Sequence, residues 1–409
     1  MTPKEKQILR DLAKRFLEIC NTDEQTRRRN LWRQHNSFHF TQPPIYIRAF
    51  AWGEMEASRC EMGDPFFRNY ENFFRDMLFR HTFDDDFIFE PWVTVEAVHL
   101  TPPEGLWGLP IKWISGNDPN GAKQLDPPIK NPEDFAKMVE ARHQIDEAAT
   151  AEKFAKLQDA LGDLVTVNLS RGPTFRVWNG DISTHLGYLR GIEPMMWDIM
   201  DRPAWLHELL AFMRDGILRA QTAAEAAGDW SLTDHQNQAM PYAEELADPA
   251  PNQFGKQRRE LWYFCASQET TLLGPAQFNE FMLQYQIPIM RPFGLVAYGC
   301  CEDLSEKIQY LRQIPNLRRI AVSPMANVAR CAEQIERDYI LSYRPSPSDM
   351  VGFGFDEARI RRILRQDFAV LRDSIFDITL KDVETVQSDP TRIRKWVRVV
   401  REEVARGFE

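Results

Sequence analysis

Residues 294–304 read GLVAYGCCEDL, and the class of the whole chain turns on how that stretch is parsed. Leu295, Val296, Ala297 and Tyr298 make an unbroken apolar run of strand length, closed by Gly299. Two adjacent thiols, Cys300 and Cys301, follow with Glu302 and Asp303, and Leu304, Ile308 and Leu311 then recur at helical spacing. A buried strand that hands polar residues to a strand–helix turn is how an α/β barrel presents its chemistry. Cys300 and Cys301 are therefore expected in an active site.

The same unit repeats on either side. Downstream come a strand at 318–323, a helix at 327–336, a strand at 339–344, a helix at 356–372, a strand at 376–381 and a helix at 390–406. Upstream, strands at 45–50, 87–98, 164–169 and 261–266 alternate with helical patterns at 65–80, 132–142 with 151–161, 194–226 and 276–290. Eight strands, each followed by helix, predict a (β/α)8 TIM barrel over 41–409, with an N-terminal helical extension over 1–40 and inserted loops. A doubly wound sheet is the alternative, although no glycine-rich phosphate turn follows any strand. The Gly/Pro/Asn-rich stretch Thr101 to Pro132 reads as a long excursion. Thr233 to Gln257 is an ordinary surface loop or one draped over a site. In the 194–226 helix, Trp197, Met200, Trp205, Leu209 and Met213 are expected on one apolar side.

Composition sets the outer limits. With 43% of 409 residues hydrophobic, a full core is available. A formal charge of −10, with basic residues interleaved among acidic ones as in RIRKWVRVVREEVAR, argues against a nucleic-acid partner. No apolar run approaches the roughly 18 residues of a membrane span. The N-terminus, MTPKEKQILRDLAKRFLEIC, is a charged amphipathic helix rather than a signal peptide. Six cysteines are too few for a disulfide framework. These features predict a reduced, cytoplasmic protein.

Three stretches resemble the uroporphyrinogen decarboxylase superfamily, which includes cobalamin-dependent methyltransferases. They are LWYFCASQETTLLGPAQFNEFMLQYQIPIM from Leu261, GLVAYGCCEDL from Gly294, and the run RRIAVSP…YILSYRPSP…FDITLKDVETV. The likeness covers about 150 residues of the C-terminal half. It implies a barrel and, in the methyltransferase branch, zinc on a His-x-Cys motif with a distant last-strand Cys. Tyr298 stands in place of that His, Cys300 in place of its Cys, and Asp382 near the last thiolate. True decarboxylases carry an arginine-rich turn after the first strand, whereas this chain has RAFAWGEMEASR with a lone Arg48 in the strand.

Residue by residue, two readings stand side by side. Cys300 and Cys301, with Asp382, suit a zinc shell, or the thiols are packed and inert. Neighbouring residues of a strand point to opposite faces, so both thiols reach one ion only if Gly299 bends the chain. Glu269 is a ligand, a general base, or a helix N-terminal carboxylate. Glu302 acts in the site or, with Asp303, caps the next helix. Arg48, Arg171 and Arg344 hold a substrate carboxylate or phosphate, or form structural ion pairs. Gln268, at the same strand end as Glu269, and His235 join the substrate-binding set, His235 being otherwise a solvated loop residue. His81, His143 and His207 are expected at the surface, and Cys20 and Cys331 in the core.

The leading expectation is a methyltransferase that moves a methyl group between a small methylated substrate and a thiol carrier or corrinoid protein, with zinc as Lewis acid. No Asp-x-His-x-x-Gly segment is present, so the corrinoid would arrive on a separate protein. The alternative is a metal-free decarboxylase or lyase of the same fold acting on an anionic, tetrapyrrole-like substrate. A non-enzymatic ligand-binding barrel is the third possibility. No membrane partner is expected, and a homodimer is.

Overall fold

Ten strands punctuate the computed structural model, which describes residues 1–116 and 121–408. They are β1 (Ile45–Ile47), β2 (Trp92–Glu96), β3 (Lys112–Ser115), β4 (Lys123–Asp126), β5 (Thr166–Ser170), β6 (Trp262–Cys265), β7 (Leu295–Tyr298), β8 (Leu317–Val322), β9 (Ile340–Tyr343) and β10 (Phe376–Leu380). The fold is mixed α/β. Six strands form a curled, parallel half-barrel in the order β1-β10-β9-β8-β7-β6. β2 and β5 make a second parallel pair, and β3 and β4 an antiparallel hairpin. β6 to β10 are buried at every position, as parallel strands covered on both faces must be.

Side-chain and loop-backbone hydrogen bonds, rather than strand ladders, bridge the gaps between the two parallel sheets. On one side, Ile45 N and Ile47 N donate to Asp86 Oδ2 at 2.7 Å and Asp85 Oδ2 at 2.8 Å. On the other, Asn168 of β5 reaches Thr233 Oγ1 at 3.1 Å, and Gln236 N donates to Trp262 O of β6 at 3.1 Å.

The two-residue alternation of a strand decides what each side chain faces. On β7, Val296 and Tyr298 join the large core under the helices, while Leu295 and Ala297 pack inside with Trp262 and Phe264. On β8, β9 and β10 the helix side is Ile320, Val322, Leu341, Tyr343, Phe376, Ile378 and Leu380. Their alternates face inward and are mostly polar: Arg319, then Ser342 and Arg344, then Asp377, Thr379 and Lys381. At the N-terminal end of the strands these make a closed network. Arg319 Nη2 donates to Asp377 Oδ2 at 2.6 Å, and Ser342 and Thr379 hydroxyls donate to Asp377 Oδ1 at 3.0 and 2.8 Å. The helix Asp23–Asn36 closes that end: His35 Nε2 lies 3.4 Å from Asp377, and Asn36 Oδ1 accepts from Arg319 at 2.8 Å.

Several expectations are corrected. Thr101 to Pro132 contains the β3–β4 hairpin; its strands are largely exposed, so no burial periodicity marks them, and residues 117–120 lie outside the described residues. The 194–226 helix is two helices, Ile192–Asp201 and Pro203–Ala227, because Pro203 starts a new first turn. Leu209 and Met213 are buried, but Trp197 and Met200 are 61% and 73% exposed. The helix expected after the thiols shrinks to Ile308–Leu311. His143 is no surface residue: its ring is buried against Asp229 at 2.8 Å. Among the described residues, no helix is long and apolar enough to cross a membrane.

Candidate active site

Gly299 makes the site possible. Its φ of +97° lies in the region that favours glycine, and a Cβ there would stand 2.7 Å from Leu304 Cδ1 and 3.1 Å from Ala321 Cβ. The resulting bend brings both thiols to one side, with Cys300 Sγ and Cys301 Sγ 3.5 Å apart. Cys300 is 3% exposed, whereas Cys301 is open to solvent. Lys381, the first residue past β10, places its Nζ 2.9 Å from each sulfur and 2.8 Å from Asp382 Oδ2. Arg344, the first residue past β9, donates from Nη1 to Cys300 O at 2.7 Å.

These contacts organise the charge. The hydrogen bond between the thiols, then Arg344 and Lys381, outweigh burial and push the Cys300 thiol down from its ordinary value. The thiolate so favoured pushes Cys301 up, through their shared hydrogen bond and the added cost of burial. The pair thus holds one proton and one negative charge beside an ammonium. Burial and Arg344 pull Lys381 down, but the thiolate and Asp382 prevail and its proton affinity rises.

Glu302 is 1% exposed and works as scaffold. It accepts from Cys300 N at 2.7 Å and from Ser267 N at 2.8 Å, clamping the turn after β7 to the end of β6. Burial, then the nearby thiolate, push its carboxyl up. Tyr298 points to the helix side, where its hydroxyl donates to Gln286 Oε1 at 2.7 Å. Glu269 accepts from Ser183 Oγ at 2.8 Å and from Gln268 at 3.2 Å, against the helix Ser183–Arg190. Arg171 is consumed by Asp229 at 2.5 Å and by both oxygens of Glu147 at 2.7 and 2.9 Å. The structure therefore brings Cys300, Cys301, Asp382, Arg344 and Glu302 together, and leaves Tyr298, Glu269, Gln268 and Arg171 engaged elsewhere.

A cavity of about 530 Å³ lies beside this cluster, lined by Arg48, Trp92, Met240 and Phe264 among others. Phe264 belongs to the same packed group as Cys300, and Arg48 lies over the Trp178 ring of that group at 5.9 Å. The segment 233–241 runs through the interior and forms part of the cavity wall. Gln236 and Gln238, 5% and 6% exposed, line it; Gln236 Oε1 accepts from Val177 N at 2.8 Å, while Gln236 Nε2 and both polar atoms of the Gln238 amide have no hydrogen-bond partner. His235 also lines it, but Trp262 N at 3.2 Å and Ala247 O at 3.1 Å hold its ring, and burial pushes it down to about 4.

Lys381 and the two glutamines were absent from the sequence-derived set. The signal for Lys381 is the alternation of FDITLK: Asp377, Thr379 and Lys381 share one face of an otherwise apolar strand. As arranged, the donors do not fit tetrahedral zinc. Two sulfurs and Asp382 surround an ammonium, and among the described residues no group of three or more His, Cys, Asp or Glu is disposed to hold a metal. No protein-family model matches this chain, and a search of curated proteins finds no match.

Proposed function

We propose that this chain is a (β/α)8-barrel enzyme of the uroporphyrinogen-decarboxylase-like class, acting as a metal-independent decarboxylase or related lyase on a small carboxylate-bearing substrate. Support for the barrel is the count of parallel strands: six in the half-barrel and two in the β2–β5 pair, with Asp85, Asp86 and the 233–236 segment at the seams. A catalytic cluster at the C-terminal strand ends is where such barrels work.

The observation that carries the substrate class is Arg344. It is 2% exposed, its Nε has no partner, and no acidic side chain among the described residues pairs with it. The negative groups near it, the Cys300 thiolate first and then Glu302, leave that Nε donor unsatisfied, and an unsatisfied buried donor is costly. A substrate carboxylate supplies the missing acceptor, and the guanidinium fork suits it. Arg48, likewise without an acidic partner among the described residues, extends this pull into the cavity. Two arginines suit a substrate with few carboxylates better than a polycarboxylate porphyrinogen. The amides of Gln236 and Gln238 add neutral hydrogen-bonding groups for the rest of the molecule.

In this reading the bond from carbon to a substrate carboxylate breaks and carbon dioxide leaves. The electron pair left on carbon takes the proton of Cys301, which is exposed and kept protonated by its neighbour. Solvent restores that proton. The second reading, methyl transfer to a thiol carrier or a corrinoid protein, is favoured by one observation, the readily ionised Cys300 thiol.

Calorimetric titration with mono-, di- and tricarboxylates separates the two. Saturable binding in the wild type that is weakened in Arg344→Met and in Arg48→Gln supports the lyase. If no carboxylate binds, and methylcobalamin adds a methyl mass to the thiol pair, methyl transfer replaces it.

A further inference from the structure

We infer that Cys300 and Cys301 form a peroxide-reactive dithiol that closes reversibly to a vicinal disulfide. Adjacent strand residues normally point apart, yet the Gly299 bend leaves these sulfurs 3.5 Å from each other. Their exposures differ in the way a two-step oxidation requires: Cys301 meets solvent, and Cys300 is buried directly behind it. Lys381 Nζ, 2.9 Å from both, stabilises negative charge on whichever sulfur attacks.

The chemistry balances with an alkyl or hydrogen peroxide as oxidant. The proton shared by the pair shifts from Cys301 to Cys300 along their hydrogen bond, the Cys301 thiolate attacks one peroxide oxygen, the O–O bond breaks, and the departing alkoxide or hydroxide takes that proton from Cys300, leaving a sulfenic acid on Cys301. The Cys300 thiolate then attacks the Cys301 sulfur and the S–O bond breaks. Hydroxide leaves as water with a proton from Lys381, which solvent returns. Two thiols and one peroxide become one disulfide, one alcohol or water, and one further water.

Adjacent residues hold their Cα atoms about 3.8 Å apart, shorter than the roughly 4.4–6.8 Å usual for disulfides. The ring is therefore strained, and strained disulfides are the readily reduced ones. Closure consumes the proton and the thiolate of the pair, so peroxide would silence any reaction that uses them. The inference itself rests on the thiol geometry and not on the lyase reading, and its test reads thiols rather than turnover.

The test treats the reduced full-length protein with one equivalent of hydrogen peroxide, then unfolds and alkylates it for mass spectrometry. The six free cysteines are expected to fall to four that alkylate, with two hydrogen masses lost from the peptide that carries residues 300 and 301, and dithiothreitol is expected to restore both. Cys20, Cys60, Cys265 and Cys331 serve as internal controls. Cys300→Ser is expected to stop at a dimedone-trapped sulfenic acid on Cys301. Lys381→Met is expected to close about tenfold more slowly, with Lys381→Arg near wild type. Six alkylated cysteines after excess peroxide would overturn the inference. So would oxygen added to Cys301 while Cys300 still alkylates, or thiol loss confined to the other four.

Discussion

The inward face of the half-barrel carries two tiers of charge built from the same strands, and they are treated in opposite ways. In the lower tier, Arg319 and Asp377 are both buried, and Ser342, Thr379, His35 and Asn36 satisfy their remaining polar atoms. In the upper tier, only two or four residues further along each strand, Arg344 keeps an unpartnered Nε and Lys381 serves two sulfurs and one carboxylate. A buried ion pair with its hydrogen bonds complete gains nothing from a ligand, whereas an incomplete one does. The lower tier closes the molecule at the helix Asp23–Asn36, and the upper tier is where a substrate has something to offer.

The contrast can be broken most severely from below. Asp377→Ala leaves Arg319 buried without a counter-charge and is expected to cost about 3–5 kcal/mol in urea unfolding. Arg344→Met, which removes a cation that already lacks an acidic partner, is expected within about 1 kcal/mol of wild type. Equal losses in the two variants would erase the distinction between the tiers.

Acid should also dissolve the lower tier. Burial pushes His35 below its ordinary value, so the unfolded chain takes that proton first, and stability falls as pH drops below 6.5. Burial opposes the charge on Asp377, but Arg319 and His35 outweigh it and hold the carboxyl down to about 2 from 3.8. Its contribution, on the order of 2 kcal/mol, is present above the unfolded value and lost as pH falls through the folded one. Urea midpoints measured from pH 7 down to pH 3 are expected to decline throughout. Asp377→Asn should flatten the part below pH 4, and an unchanged slope would remove Asp377 from this account.

Two smaller effects sharpen the upper tier. Lys381→Met deprives the thiolate of its ammonium, and iodoacetamide should modify the pair about tenfold more slowly at pH 7, with the midpoint of the rate profile moved up. Arg48→Gln should weaken carboxylate binding about tenfold while stability stays within about 0.5 kcal/mol, since the side chain has no ion pair to lose. Carboxylate binding indifferent to Arg48 would move the substrate away from β1.

Much of this was legible because hydrophobic runs and their spacing report local structure. The strands near 45, 92, 166, 262, 295, 318, 340 and 376 follow from apolar runs bounded by breakers, and Arg344 and the thiols follow from their position at strand ends. Arg171 and Arg344 look alike in sequence, each just past a strand, yet one is paired with Asp229 and Glu147, while the other, among the described residues, pairs with no acidic side chain and keeps an unpartnered Nε. Such partners lie tens of residues away, and no local pattern announces them. Glu302 illustrates the same limit: its acidity beside a glycine turn suggested helix capping, and its actual acceptors' role lies with Ser267 N across the neighbouring strand.

By itself, then, the order of residues determined which segments become strands, which side chains share a face, and that thiols stand at the end of β7. Those outcomes depend on interactions between near neighbours along the chain. Only the tertiary structure decided that Cys300 and Cys301 share one ammonium, that Arg344 keeps a buried Nε without a hydrogen-bond partner, and that Gln236 and Gln238 line a cavity. Each of those depends on which distant strand lies alongside, because charge and burial are set by what surrounds a group in space.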